Sequence, residues 1–174
     1  MKKKLPRVLL GIVAVCALAF GFLSVNNDIG MTADSLESDI RRSQKISEDW
    51  IVDGSISDTM AAFISYPQGK TEHTFSVYVD RPGLSFGYFF RGGGDIVEVE
   101  EHIAEFVVEG YRERAFVSMN AQKAVRAEID DGDAFRVIEL DSGKPFAIVL
   151  PLSAGAVRFY DADGNAVEYL RRQL

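Results

Sequence analysis

Thr74-Phe-Ser-Val-Tyr-Val79, Asp80-Arg-Pro-Gly83, Ser85-Phe-Gly-Tyr-Phe-Phe90 and Gly92-Gly93-Gly94 follow one another along the chain, and their reading decides the fold. The first run alternates polar and apolar residues with the period of a strand. Asp-Arg-Pro-Gly is a turn. In the second run Phe86, Tyr88 and Phe90 share one face of a strand, with Phe89 on the other face beside Gly87. Apolar side chains on both faces predict a central, buried strand. Gly87 admits the close approach of another backbone or ring. The glycine triplet reads as a flexible turn.

The same texture extends outward. Ile56–Tyr66 is an apolar run closed by Pro67-Gln-Gly-Lys70. Arg114–Met119, Ala124–Ile129, Phe135–Leu140 and Pro145–Leu150 are strand-like, with turn signals at Asp130-Asp-Gly-Asp133 and Asp141-Ser-Gly-Lys144. Val157–Tyr160 and Ala166–Leu170 flank Asp161-Ala-Asp-Gly-Asn165, the clearest hairpin of the chain because Asp-Gly and Gly-Asn tolerate positive φ. Residues 96–109 fit either a helix or two short strands broken near His102, and their neighbours favour strand. Connections this short predict antiparallel pairing. The fold expected for 48–174 is mostly β, an antiparallel sandwich or partly closed barrel.

Upstream, Val8–Val25 carries no charge and follows Lys2, Lys3, Lys4 and Arg7. Eighteen helical residues reach about 27 Å, close to the ~30 Å hydrocarbon core. Cations on the leading side keep it in the cytoplasm. Residues 1–7 therefore read as a cytoplasmic basic segment and 8–25 as a transmembrane signal-anchor helix, inserted in the lipid bilayer. Residues 26–47 read as a juxtamembrane stalk, partly helical, with Leu36 and Ile40 on one face and Asp34 able to cap. A cleaved signal peptide with secretion is the alternative. Cys16, the only cysteine, lies inside the apolar run, so the exposed domain has no disulfide.

The chain has 174 residues, 26% charged and 47% apolar, and a net charge of −7. That suits one domain with a short appendage. Residues 45–174 hold 13 Lys/Arg against 22 Asp/Glu, so the outer part repels phosphate backbones, and nucleic acid is not an expected partner.

No catalytic set stands out. Asp141-Ser142-Gly143 matches the aspartic-protease tripeptide, yet Glu139 and Lys144-Pro145 break the pattern around it, and a turn explains it. Glu98, His102 and Glu105 would share a face only on a helix, and one imidazole is poor for zinc. His73 reads as an exposed loop residue. Asp161, Asp163 and Asn165 lack the spacing of a calcium loop. The sole thiol lies in the span, no G-x-S-x-G elbow occurs, and no Ser-Met-x-Pro run follows the anchor as in signal peptidases. No cofactor or metal is expected.

The remaining candidate is a binding face made of Arg81, Phe86, Tyr88, Phe90 and Arg91, an aromatic strand bracketed by two cations. The expectation is a membrane-anchored extracytoplasmic β domain serving binding or assembly, with an envelope protein or glycan as partner. The alternative from another class is a membrane-tethered hydrolase using carboxylates, with Asp141 and the acids around His102 as suspects.

Overall fold

Alternation within the strands builds a stack of layers. The computed structural model describes residues 7–25, 28–81, 83, 85–130, 132 and 135–174. Lys2–Lys4, Asn26-Asn27 and parts of the turns at 80–83 and 130–133 thus lie outside the described residues. One four-stranded sheet has the order β1 (Ile51–Ile56), β2 (Met60–Tyr66), β3 (Thr74–Asp80), β4 (Tyr88–Gly94). A second joins β5 (Ile103–Val107), β6 (Glu113–Ser118), β9 (Phe146–Pro151) and β12 (Tyr169–Gln173) in the order β12-β5-β6-β9. The third uses β7 (Arg126–Asp130), β8 (Phe135–Glu139), β10 (Ala156–Tyr160) and β11 (Ala166–Val167) in the order β11-β10-β7-β8. The fold is mostly β, and none of the sheets closes into a barrel.

The second sheet is the middle layer. Ala104, Phe106, Ala115, Val117 and Ala147 meet Met60, Ala62, Ile64, Phe75, Val77 and Val79 of the first sheet. Phe75 and Phe106 stack with ring centroids 4.5 Å apart. The alternate residues Ile103, Phe116, Phe146 and Leu150 point the other way, onto Ala127, Ile129, Val157 and Phe159 of the third sheet. A sheet covered on both sides explains why these strands read as near-continuous apolar runs.

The first sheet is covered on its outer face too. Helix α2 (Leu36–Gln44) lays Leu36 and Ile40, both fully buried, on Ala61, Phe63 and Tyr78. The face shared by Leu36 and Ile40 is therefore used, and residues 36–44, expected within a stalk, pack on the domain. No side chain caps α2, so Asp34 does not take that role.

Several strand readings are corrected. Ile56–Tyr66 is not one segment: Ser57-Asp-Thr59 turns the chain between β1 and β2, which pair from Ile51↔Tyr66 to Ile56↔Ala61. Gly92–Gly94 is not a turn but part of β4, paired with Val77, Ser76 and Phe75. An added Cβ at Gly93 would lie 2.5 Å from the Phe75 carbonyl oxygen, so only glycine fits this strand there. Residues 96–109 split into one helical turn, α3 (Val97–Glu101), and β5, with the break at His102. The 161–165 hairpin forms as read, pairing Phe159↔Val167 and Tyr160↔Ala166. Its second arm ends early, and β12 then pairs parallel with β5. Antiparallel pairing therefore holds everywhere in these sheets except there.

This parallel pair surrounds a buried charge. Glu105 is fully buried on β5. Its carboxylate accepts Arg114 Nη1 at 3.1 Å and Arg171 Nε at 2.7 Å. Arg114 also donates to the Gly155 carbonyl.

Helix α1 spans Arg7–Val25. Its large apolar side chains that are described, among them Ile12, Val15, Leu18, Phe20 and Phe22, are exposed. Side chains of α1 are described only at Leu9 and 11–22. Among the described residues no helix is long and apolar enough to cross a membrane.

Two stability outcomes follow from the layers. Arg114→Ala removes the buried partner of the Glu105 carboxylate, leaving it Arg171 alone, and should cost about 3–5 kcal/mol. Arg171, whose side chain is 64% exposed although its partner is fully buried, should cost less as Arg171→Ala, about 1–3 kcal/mol. Urea unfolding of the full chain in detergent checks the pair, and equal costs would show that the two arginines are not distinguished by burial. A chain begun at residue 48 loses Leu36 and Ile40, at about 1.5–3 kcal/mol each. Its melting temperature should fall well below that of a chain begun at residue 28.

Candidate functional site

The binding residues read from the sequence are distributed around the β4 edge. Its backbone is met by residues 28–31, which arrive from α1. Gly30 N–H donates to the Phe86 carbonyl at 2.7 Å, Met31 N–H to Tyr88 at 2.8 Å, and Tyr88 N–H back to Met31 at 2.8 Å. Gly87, at φ +85°, makes this contact possible, because an added Cβ would sit 2.6 Å from the Met31 carbonyl oxygen. The close backbone approach read at Gly87 is thus made by the chain's own N-terminal segment.

Beside this crossing lies a hollow of about 230 Å³, below the usual ~300–1,000 Å³ of small-molecule pockets. Arg81, Tyr88 and Phe90 line it together with Ile29, Asp39, Tyr78 and Phe89. Phe86 and Arg91 do not line it and are exposed. Phe86 keeps 62% of its surface exposed and Phe90 49%. The expectation of a strand buried on both faces is therefore corrected. β4 is the edge of its sheet, with a register shift opposite Val77/Tyr78 that leaves Arg91 without a partner residue across the ladder.

Polar groups in the hollow satisfy one another. The Tyr78 hydroxyl donates to Asp39 Oδ2 at 2.9 Å, and Arg42 donates to Asp39 Oδ1 at 2.6 Å. Burial first, and the bond to Asp39 second, push the Tyr78 phenol far above its ordinary value. The Tyr88 hydroxyl donates to the Ser57 carbonyl, and burial again raises its pKa, helped by the charge of Asp58. The Arg81 guanidinium lies 4.0 Å over the Phe89 ring. Phe90 meets Tyr78 edge-on at 5.5 Å. One wall is thus aromatic and the other polar, and among the described residues that line it no nucleophile is paired with a base. The arrangement can hold a group.

The other candidates separate. Asp141 is a turn residue whose Oδ1 accepts Gly143 N–H at 2.8 Å and whose Oδ2 lies 3.3 Å from Lys144 Nζ. Those contacts, the Gly143 N–H foremost, hold its carboxyl below the usual range. Asp161 likewise folds its hairpin, accepting the backbone N–H of Asp163 at 3.0 Å and of Asn165 at 2.8 Å. Glu98 pairs with Arg172, Glu105 is buried with its arginines, and His102 meets Gln122 at 3.3 Å, so the acidic group does not converge. Among the described residues no three metal-ligating side chains gather. His73 is not exposed as read: it is buried, with Nε2 3.3 Å from the Asp95 carboxylate.

Sequence reading missed Asp39, Tyr78 and Ile29, because each reaches the hollow from a different element. The hint available was Ile29-Gly30-Met31, two apolar residues around a glycine directly after a polar stop. No family model, curated protein or solved structure matches the chain.

The Tyr78 phenol carries a pH prediction. Its folded pKa lies above the unfolded value of 10.0, so its contribution to stability is full below that pH and is lost as pH rises through the raised value. In Tyr78→Phe the most alkaline phenolate step should vanish from the absorbance titration. The same step surviving in the variant would assign it to another tyrosine.

Proposed function

We propose that the chain is a single-pass membrane protein, N-terminus in the cytoplasm, that presents its β domain outside the membrane as a binding or assembly module. The observation that carries this reading is α1: an uncharged run at Val8–Val25 behind four cations, whose described apolar side chains are exposed rather than packed on the domain. A soluble helix of that composition would bury a face. The exposed aromatic edge at Phe86 and Phe90, with Arg81, Tyr88 and Arg91, is the recognition face.

Binding is favoured over carboxylate hydrolysis on the chemistry of the acids. Asp141 and Asp161 spend their oxygens on turns, and Asp39 is held by Tyr78 and Arg42. A paired acid and base near one concavity is what hydrolysis requires. The acidic balance of the outer part disfavours nucleic acid as partner.

The test uses the single cysteine. In a Cys16→Ala background, Ser142→Cys places a thiol in the exposed Asp141–Lys144 turn. Expressed in bacterial cells, the full chain should stay in carbonate-washed membranes, and a membrane-impermeant maleimide should label it on intact spheroplasts. Labelling only after lysis would reverse the topology, and recovery in the wash would remove the anchor.

A further inference from the structure

The recognition face lies on a short leash. The Phe86 N–H donates to the Asp28 carbonyl at 2.8 Å, and Ile29 bridges to Phe86. Asp28 is the third residue after Val25, where α1 ends. Three residues span at most about 11 Å. Helix α1 has 19 residues. On the anchor reading the apolar run crosses the ~30 Å hydrocarbon core, which sets the end of α1 near the core boundary, beneath a headgroup layer of about 5–8 Å. The backbone of Phe86 is therefore held within about 15 Å of that boundary, a distance its ring and the surrounding side chains largely cover.

The surface held there is apolar. Ile29 and Phe90 line the same hollow, Ile29 is bridged to Phe86, and the three are 39%, 49% and 62% exposed. Exposed rings gathered at one edge mark a contact surface. Phenyl rings have no group that would hydrogen-bond a glycan, and they gain by leaving water. Arg91, exposed at the register shift, has a long stem and a charged head suited to the boundary between acyl chains and phosphates. Tethering makes the contact intramolecular, so weak affinity suffices. The net charge of −7 opposes an anionic surface, so the rings rather than Coulomb attraction supply the contact.

We infer that Ile29, Phe86 and Phe90 form a foot that rests in the headgroup layer beside α1, so the occupant of this face is the lipid surface itself. The inference rests on the anchor reading above and names the partner of the same face. It also orients the domain, with β4 down and the third sheet, carrying Phe135 and Val137, away from the edge that touches lipid.

The test is depth-dependent quenching in the full chain. In a Trp50→Phe background, Phe86→Trp, Phe20→Trp and Val137→Trp are reconstituted separately into phosphatidylcholine vesicles with bromine near the headgroup end of the acyl chains. Phe86 is exposed enough to accept the larger ring without repacking. Emission from position 86 should fall and shift to the blue, as at position 20, while position 137 keeps its full intensity. Position 86 as bright as 137, with position 20 quenched, would overturn the foot and leave the anchor standing. Position 20 unquenched would mean that the anchor reading itself has failed. A blue shift at position 86 that grows with protein density without quenching would assign the face to a second copy and overturn the lipid contact. Quenching that appears only when phosphatidylglycerol is added would overturn the argument from the rings.

Discussion

Glu105 has no contact with water, so its charge has to be met inside the protein. Two arginines meet it from different directions. Arg114 comes from the adjacent antiparallel strand and Arg171 from the parallel one, which the chain reaches only at its C-terminal end. A strand shifted by one residue presents its other face. Slipping β12 by one would turn Arg171 away from Glu105 and leave the carboxylate half-paired in an apolar layer. The ion triad thus specifies the register of the one parallel pairing among these sheets, which no local turn sets. Such a group is weak as a source of net stability, because desolvation offsets attraction, but costly to break.

The middle sheet needs that register because both of its faces are used. With β12 in place, β5 is flanked on both sides, and Ala104 and Phe106 face one neighbouring sheet while Ile103 faces the other. The outer sheets then have a floor to pack on. The first of them gains a second cover from α2, which is why β2 is buried along its whole length although it belongs to an outer sheet. Without any disulfide in the domain, these stacked apolar faces carry the fold.

What the sequence reveals of this arrangement is the local part. The runs Thr74–Val79 and Ala124–Ile129 locate β3 and β7 to within a residue or two, Asp-Gly-Asn locates the last hairpin, and the spacing of Leu36 and Ile40 locates the buried face of α2. Each depends on neighbours a few residues away. Periodicity says which residues share a face but not what lies across it. It cannot place β12 against β5, some 66 residues earlier at Glu105 and Arg171, nor bury His73 beneath the chain. Gly92–Gly94 misleads for a related reason. Glycine usually marks a turn, but here Gly93 answers a crowded edge, where the Phe75 carbonyl and Gln44 leave no room for a side chain, and Gly94 answers a positive φ of +128°. The aromatic run before it reads as core because rings usually are core. Its exposure follows from β4 being last in its sheet, and strand order is not written in the strand itself. For the same reason only three of the five residues read as a binding face, Arg81, Tyr88 and Phe90, line the hollow, while Asp39, Tyr78 and Ile29 come from elsewhere.

An open sheet edge invites pairing with other chains. The N-terminal end of β4 is met by residues 28–31 of the same molecule, whose N–H and carbonyl groups satisfy Phe86 and Tyr88. Gly30 and Gly87 make the approach possible, since each lies where an added Cβ would strike the other strand's backbone at 2.6 Å. The protection of the edge therefore depends on the segment that leaves the apolar helix. Pairing at this point joins the entry of the chain to the fold it enters.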